Sequence, residues 1–123
     1  MRRWWLSFMI IIVFACPAQA ATRYASPTGS GSAPCTNINA PCLLNTGLSQ
    51  TAAGDTLYLR GGTYTQRIDS NTQAIPVGTS WANAPQIKAY PGETPIIKTP
   101  SGTNASTLVL TSNQGSTNYL IQY

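Results

Sequence analysis

Apolar residues fall along this chain in two different ways. From Trp4 to Ala15 they form one nearly unbroken run; after Ala21 they come in short stretches that alternate with polar positions and are divided by glycine, proline and serine. Thr56-Leu57-Tyr58-Leu59-Arg60 alternates strictly, which predicts a strand with Leu57 and Leu59 on one face and Thr56, Tyr58 and Arg60 on the other. Gly61-Gly62 predicts a corner, and residues 63–68 a second short strand. Gln86-Ile87-Lys88-Ala89-Tyr90 repeats the alternation with Ile87 and Ala89 on the apolar side and Lys88 outward. Pro91-Gly92 is a turn pair, Pro95-Ile96-Ile97-Lys98 follows it, and residues 107–111 and 119–123 complete the predicted strands. Residues 43–52 are the one helix candidate after the leader. Leu44 and Leu48 stand at i and i+4, Ala52 continues the stripe, and Gly54 suits a left-handed stop. Gly47 in its middle costs about 1 kcal/mol against alanine, so packing rather than propensity has to hold it.

The strand–turn–strand unit of residues 56–68 recurs at 86–98, and residues 107–123 read as a third round. An interval of that size suits a solenoid, in which each round covers its apolar face only by stacking on a neighbour. Short strands at regular spacing also suit a β-sandwich, and periodicity leaves the two open.

The amino-terminal run reads as a secretory leader. Arg2 and Arg3 precede it, and Pro17-Ala18-Gln19-Ala20 ends it with small residues at the two positions a leader peptidase inspects. The predicted cut lies between Ala20 and Ala21. Two alternatives stand beside it: an uncleaved anchor, for which the run is short of the ~20 residues a span needs, and lipidation of Cys16 in Val13-Phe14-Ala15-Cys16, for which Phe14 is bulky. Residues 1–20 are thus expected to be a signal peptide, with no stable span after cleavage and a secreted, periplasmic or cell-surface location.

Setting Arg2 and Arg3 aside lowers the net charge from +4 to +2. The remaining charges stand singly, without the basic stripe of a nucleic-acid binder, so no nucleic-acid partner is expected. With only 8% charged residues, Ser, Thr, Asn, Gln and Gly must wet the surface. Cys35 and Cys42 are the two cysteines left after the leader, an even count that favours a disulfide in an oxidising compartment. So short a loop gains about 2 kcal/mol or a little more. Two free thiols remain open if the compartment is reducing, whereas a metal site lacks the usual four ligands.

Several stretches resemble one family. Arg23-Tyr24-Ala25-Ser26-Pro27-Thr28-Gly29-Ser30 looks like the opening of secreted right-handed parallel β-helix proteins of the pectate-lyase-like superfamily. Ala53-Gly54-Asp55-Thr56-Leu57-Tyr58-Leu59-Arg60-Gly61-Gly62-Thr63-Tyr64 is similar to that group's first coil, and Ala84-Pro85-Gln86-Ile87-Lys88-Ala89-Tyr90-Pro91-Gly92-Glu93 to its second. The resemblance implies an all-β solenoid: residues 21–55 supply a loop with the disulfide and a cap helix, and 56–123 the first two to three coils. Leu57 and Leu59 would be among the first residues facing inward. The chain stops inside an apolar run at Tyr123, which reads as a partial product of a longer parent.

Candidate chemistry is sparse. Lyases of the resembling fold take a proton from beside a uronate carboxylate with a basic residue, often with calcium, and the fold's hydrolases need paired carboxylates. Asp55, Asp69 and Glu93 are far apart in sequence, and histidine is absent, which removes Ser-His-Asp and Cys-His arrangements. No catalytic, cofactor-binding or metal-ligating residue is assigned, and no cofactor is evident, calcium being expected only in a full-length parent. Arg60, Arg67, Lys88 and Lys98 are candidates to meet an acidic sugar, and Tyr58, Tyr64, Trp81 and Tyr90 to stack on one, although isolated surface cations are usually just solvated. Asn104-Ala105-Ser106 fits a glycosylation sequon. Two classes compete: the amino-terminal portion of a polysaccharide lyase or hydrolase, and a non-catalytic extracellular scaffold, adhesin or glycan-binding surface protein. The expected partner in either case is polysaccharide, with oligomeric state open.

Overall fold

The computed structural model describes residues 19–98 and 108–109. The leader up to Ala18, Cys16, the sequon at Asn104 and residues 119–123 lie outside that range.

Alternation drives the architecture. Strand β1 (Thr22–Ala25) leads through a long loop to helix α1 (Leu44–Gln50), and β2 (Thr56–Leu59), β3 (Gly62–Tyr64) and β4 (Ile68–Asp69) follow in quick succession. After a 3₁₀ turn at Trp81–Asn83 come β5 (Gln86–Ala89), β6 (Pro95–Ile97) and β7 (Leu108–Val109). The strands form three separate parallel sheets, in the orders β1-β2-β5, β3-β6 and β4-β7. Leu57 pairs with Ile87 and Leu59 with Ala89 in parallel register. A sandwich of consecutive hairpins would make those pairs antiparallel, so that alternative is excluded for these strands. Each of the last two rounds gives one strand to every sheet, the arrangement of a partial solenoid.

Two details differ from the sequence expectation. Residues 63–68 do not make one strand: the chain bends after Tyr64, so Gly62–Tyr64 joins β6 while Ile68–Asp69 joins β7. Leu108–Val109 therefore ends the second round, lying on β4, and does not open a third. β1 is the strand that alternation alone did not single out; it pairs Thr22 with Thr56 and Ala25 with Leu59.

Leu57, Leu59, Ala25, Tyr64 and Ile68 line the interior with Leu44 and Leu48 of α1, and Ile75, Ile87 and Ile97 pack against them. The helix is seven residues long, too short to stand alone. Gly47 explains its position. A Cβ there would sit 3.0 Å from Leu57 Cδ1 and 3.2 Å from the Ala25 Cβ, so glycine lets α1 lie directly on β1 and β2. At the corner between helix and strand, Gly54 has φ +82°, a conformation side chains disfavour.

Cys35 and Cys42 form a disulfide with a Cα–Cα distance of 5.4 Å, and both are buried. Their loop is stitched to β1: Tyr24 N–H donates to the Cys35 carbonyl at 2.8 Å, Cys42 N–H to the Tyr24 carbonyl at 3.0 Å, and Ser26 N–H to the Cys42 carbonyl at 2.8 Å. The bridge thus closes a tight loop over the first strand. Among the described residues no helix is long and apolar enough to cross a membrane.

Candidate functional site

The parallel register decides which outward side chains meet. Tyr24, Tyr58 and Lys88 occupy one row across the three-stranded sheet, and Tyr90 follows directly after β5. The Tyr24 and Tyr58 rings stack with centroids 6.1 Å apart and planes at 19°, and Tyr90 meets Tyr58 edge-on at 5.7 Å. All three are half-buried. The Arg60 guanidinium lies 4.9 Å from the centre of the Tyr90 ring, a cation–π contact. This column is the one place among the described residues where several aromatic and cationic side chains converge on an outer face. At its β5 side stands the exposed ammonium of Lys88.

Most charges are already committed. Arg60 donates to Glu93 through Nε and Nη2 at 2.7–2.9 Å, and Gly61 N–H adds a bond to Glu93 Oε2 at 2.5 Å. Arg60 and the Gly61 N–H together hold the Glu93 carboxyl below its ordinary range, and Glu93 in turn raises Arg60. This pair ties the first full round to the second. Arg67 pairs with Asp69 at 2.5 Å, and Asp69 accepts from Asn71 N–H at 2.9 Å and Asn71 Nδ2 at 3.0 Å, fixing the turn after β4.

Asp55 is the most enclosed acid at the cap. Its Oδ1 accepts Ala21 N–H at 2.7 Å; its Oδ2 accepts Ala52 N–H at 2.9 Å and Arg23 Nε at 3.1 Å. Burial alone would raise its carboxyl, but the two backbone donors and the Arg23 guanidinium outweigh that and hold it low. Arg23 also donates to the Pro34 carbonyl, drawing the disulfide loop in.

Of the candidates to meet an acidic sugar, Arg60 and Arg67 are therefore engaged with carboxylates, whereas Lys88 and Lys98 are exposed and form no ion pair among the described residues. Of the candidates to stack, Tyr58 and Tyr90 reach the outer column. Tyr64 does not: it is 2% exposed and its hydroxyl donates to the carbonyls of Ala25 and Arg60, both at 2.9 Å. Trp81 is 66% exposed in its 3₁₀ turn and pairs with none of the column rings. Tyr24 belongs to the column and is not evident from the sequence, because its strand carries no clear alternation; the matching register of Tyr24 and Tyr58 was the missing signal.

The three acids do not converge. Among the described residues no three His, Cys, Asp or Glu side chains gather around one point, and each carboxylate faces an arginine and N–H donors. Such a donor set does not fit calcium, which takes 6–8 oxygen ligands. A groove of about 350 Å³ runs between α1 and residues 74–77, lined by Leu48, Thr51, Ala52, Ile75 and Val77 among others, and holds no ionisable group.

No protein-family model matches the chain, and no solved structure matches it. Among curated proteins, the pectate lyase PEL9 of Emericella nidulans is 48% identical over 80 residues, 63% of this chain and 18% of that protein. The chain thus spans less than a fifth of the length of this relative, with which it has a pectate-lyase-like relationship.

Proposed function

We propose that this chain is the amino-terminal cap and first rounds of an exported right-handed parallel β-helix protein that acts on an acidic extracellular polysaccharide. One observation carries the reading: 48% identity over 80 residues to a protein named as a pectate lyase. The parallel stacking of β1, β2 and β5 under a cap helix supports it, because that is what the start of such a solenoid requires. Residues 1–20 are its leader, 21–55 the cap with its disulfide, and 56–123 its first rounds.

The reaction expected of the whole protein is β-elimination. A base removes the proton beside a uronate carboxylate, the glycosidic C–O bond breaks, and a double bond remains in the new sugar end. The described residues supply neither an unpaired base beside a second carboxylate nor a calcium cage, so the chemistry falls on rounds beyond them. Their contribution is to start the stack and close its first end.

The test is to incubate polygalacturonate with the whole protein that carries this chain and, separately, with the 123-residue chain, following the ultraviolet absorbance of unsaturated uronates. Product from the whole protein and none from the short chain is expected. A whole protein inert on uronate polymers overturns the lyase assignment, and turnover by the short chain overturns the placement of the chemistry.

A further inference from the structure

The fold takes hold of the chain at one residue. Ala21 N–H donates to Asp55 Oδ1 at 2.7 Å, and the Ala21 carbonyl accepts Thr56 N–H at 2.9 Å. Ala20, immediately before it, is exposed and outside any element, and β1 begins at Thr22. The bond between Ala20 and Ala21 is also the one that Ala18-Gln19-Ala20 marks for a leader peptidase. The first backbone hydrogen bonds among the described residues and the processing signal, two independent observations, coincide on a single peptide bond.

The receiving group suits a charge better than an amide. The Asp55 side chain is 5% exposed. Its Oδ2 is occupied by Arg23 and by the Ala52 N–H, while Oδ1 faces Ala21. A backbone amide brings one neutral N–H to that oxygen, and a free amino terminus brings three N–H groups and a positive charge. The 2.7 Å separation lies in the range of charge-assisted bonds, ~2.7–2.9 Å.

We propose that the leader is hydrolysed between Ala20 and Ala21 and that the freed α-ammonium of Ala21 remains on Asp55 Oδ1, as an ion pair that locks the start of β1 to the corner between α1 and β2. Water adds across the amide and the C–N bond breaks: its oxygen ends in the Ala20 carboxylate, which departs with the leader, and its two hydrogens join the amide hydrogen on nitrogen to make the Ala21 ammonium. The export machinery's leader peptidase supplies the catalysis. A cut before Ala20 leaves an amide at Ala21, and a cut after Ala21 removes the donor, so only this bond yields the pair. Arg23 is the like charge beside the ammonium, and it sits on the other carboxylate oxygen, so each cation has its own partner. An amine paired with a carboxylate keeps its proton above the ordinary α-amino range of about 7.7–8.0. The pair is fully present below that range and is lost as pH rises through the raised folded value. This inference shares with the proposed function only the export of the chain and does not depend on any polysaccharide.

The test uses the full precursor expressed in an exporting host. Sequencing the secreted protein from its amino end should read Ala-Thr-Arg-Tyr. The α-amine is then labelled near pH 7.5 with limiting amine reagent, in the folded state and in denaturant, and each site is read by peptide mass spectrometry. The folded α-amine should label about tenfold more slowly than the denatured one, a tenfold change being one pKa unit, while Lys88 and Lys98 change little. Asp55→Asn should restore fast labelling; should that variant not fold, the comparison of folded and denatured wild type decides alone. A different first residue, a retained leader, or an α-amine that labels equally fast in both states overturns the proposal.

Discussion

Tyr64 shares one hydroxyl proton between two carbonyls in a nearly water-free site. Burial pushes its phenol up to about 12, with the Glu93 charge adding to the rise. A raised folded value means that this residue's stabilisation is intact below the ordinary 10.0 and is lost as pH climbs towards 12. Tyr64→Phe should remove the corresponding component from an alkaline absorbance titration and cost about 1 kcal/mol in urea unfolding. The loss stays modest because the Ala25 carbonyl keeps a second donor, Arg60 N–H at 2.8 Å. Asp55 works in the opposite sense. Held low by its donors, it stabilises the fold above 3.8 and loses that contribution as pH falls through its lower folded value. Asp55→Asn should flatten the acid limb of a stability–pH curve measured by urea midpoints. Tyr64 looks like any strand tyrosine, so its role was not legible in the sequence; at Asp55 the bond to the nearby Ala52 N–H belongs to a local turn and was legible, whereas Ala21 and Arg23 lie 34 and 32 residues away and were not.

At the scale of elements, packing around Gly47 outweighs helix propensity. Alanine there gains about 1 kcal/mol of helix preference, yet its methyl would press on Leu57, which is fully buried, and on Ala25 Cβ, which is fixed to a strand. Overpacking of this kind costs ~1–3 kcal/mol. Gly47→Ala is therefore expected to destabilise by roughly 1 kcal/mol net in urea unfolding. The sequence located α1 through Leu44 and Leu48, because a stripe at i and i+4 is a local signal; what the glycine touches is not local. The same holds for residues 63–68, whose bend is set by which neighbouring strand each half lies on. The disulfide joins elements also. Its sequence separation is 7, so reduction is expected to cost about 2 kcal/mol. With both cysteines buried, thiol exchange at native pH should be slow until denaturant opens the loop, as trapping of free thiols with time would record.

For the whole molecule, protection should follow the stack. β2 is paired on both sides and lies beneath α1, whereas β7 contributes two residues to a two-stranded sheet. Hydrogen exchange should therefore be slowest at Thr56–Leu59 and fast at Leu108–Val109. Alternation around Leu57 and Ile87 located two strands but left their pairing open, and only the family resemblance pointed to a parallel stack; the third strands of each round are too short to carry a period. Where the stack begins has a directional meaning. A first strand usually leaves its outer backbone groups open, and such a row can template another chain. Here the loop closed by Cys35 and Cys42 takes both the N–H and the carbonyl of Tyr24. The ladder is consequently polar, like a column standing on a plinth. Duplication in evolution, or repeats grafted by design, can lengthen it only past β5, and severing the loop from β1 would turn the blocked end into a seed for fibres.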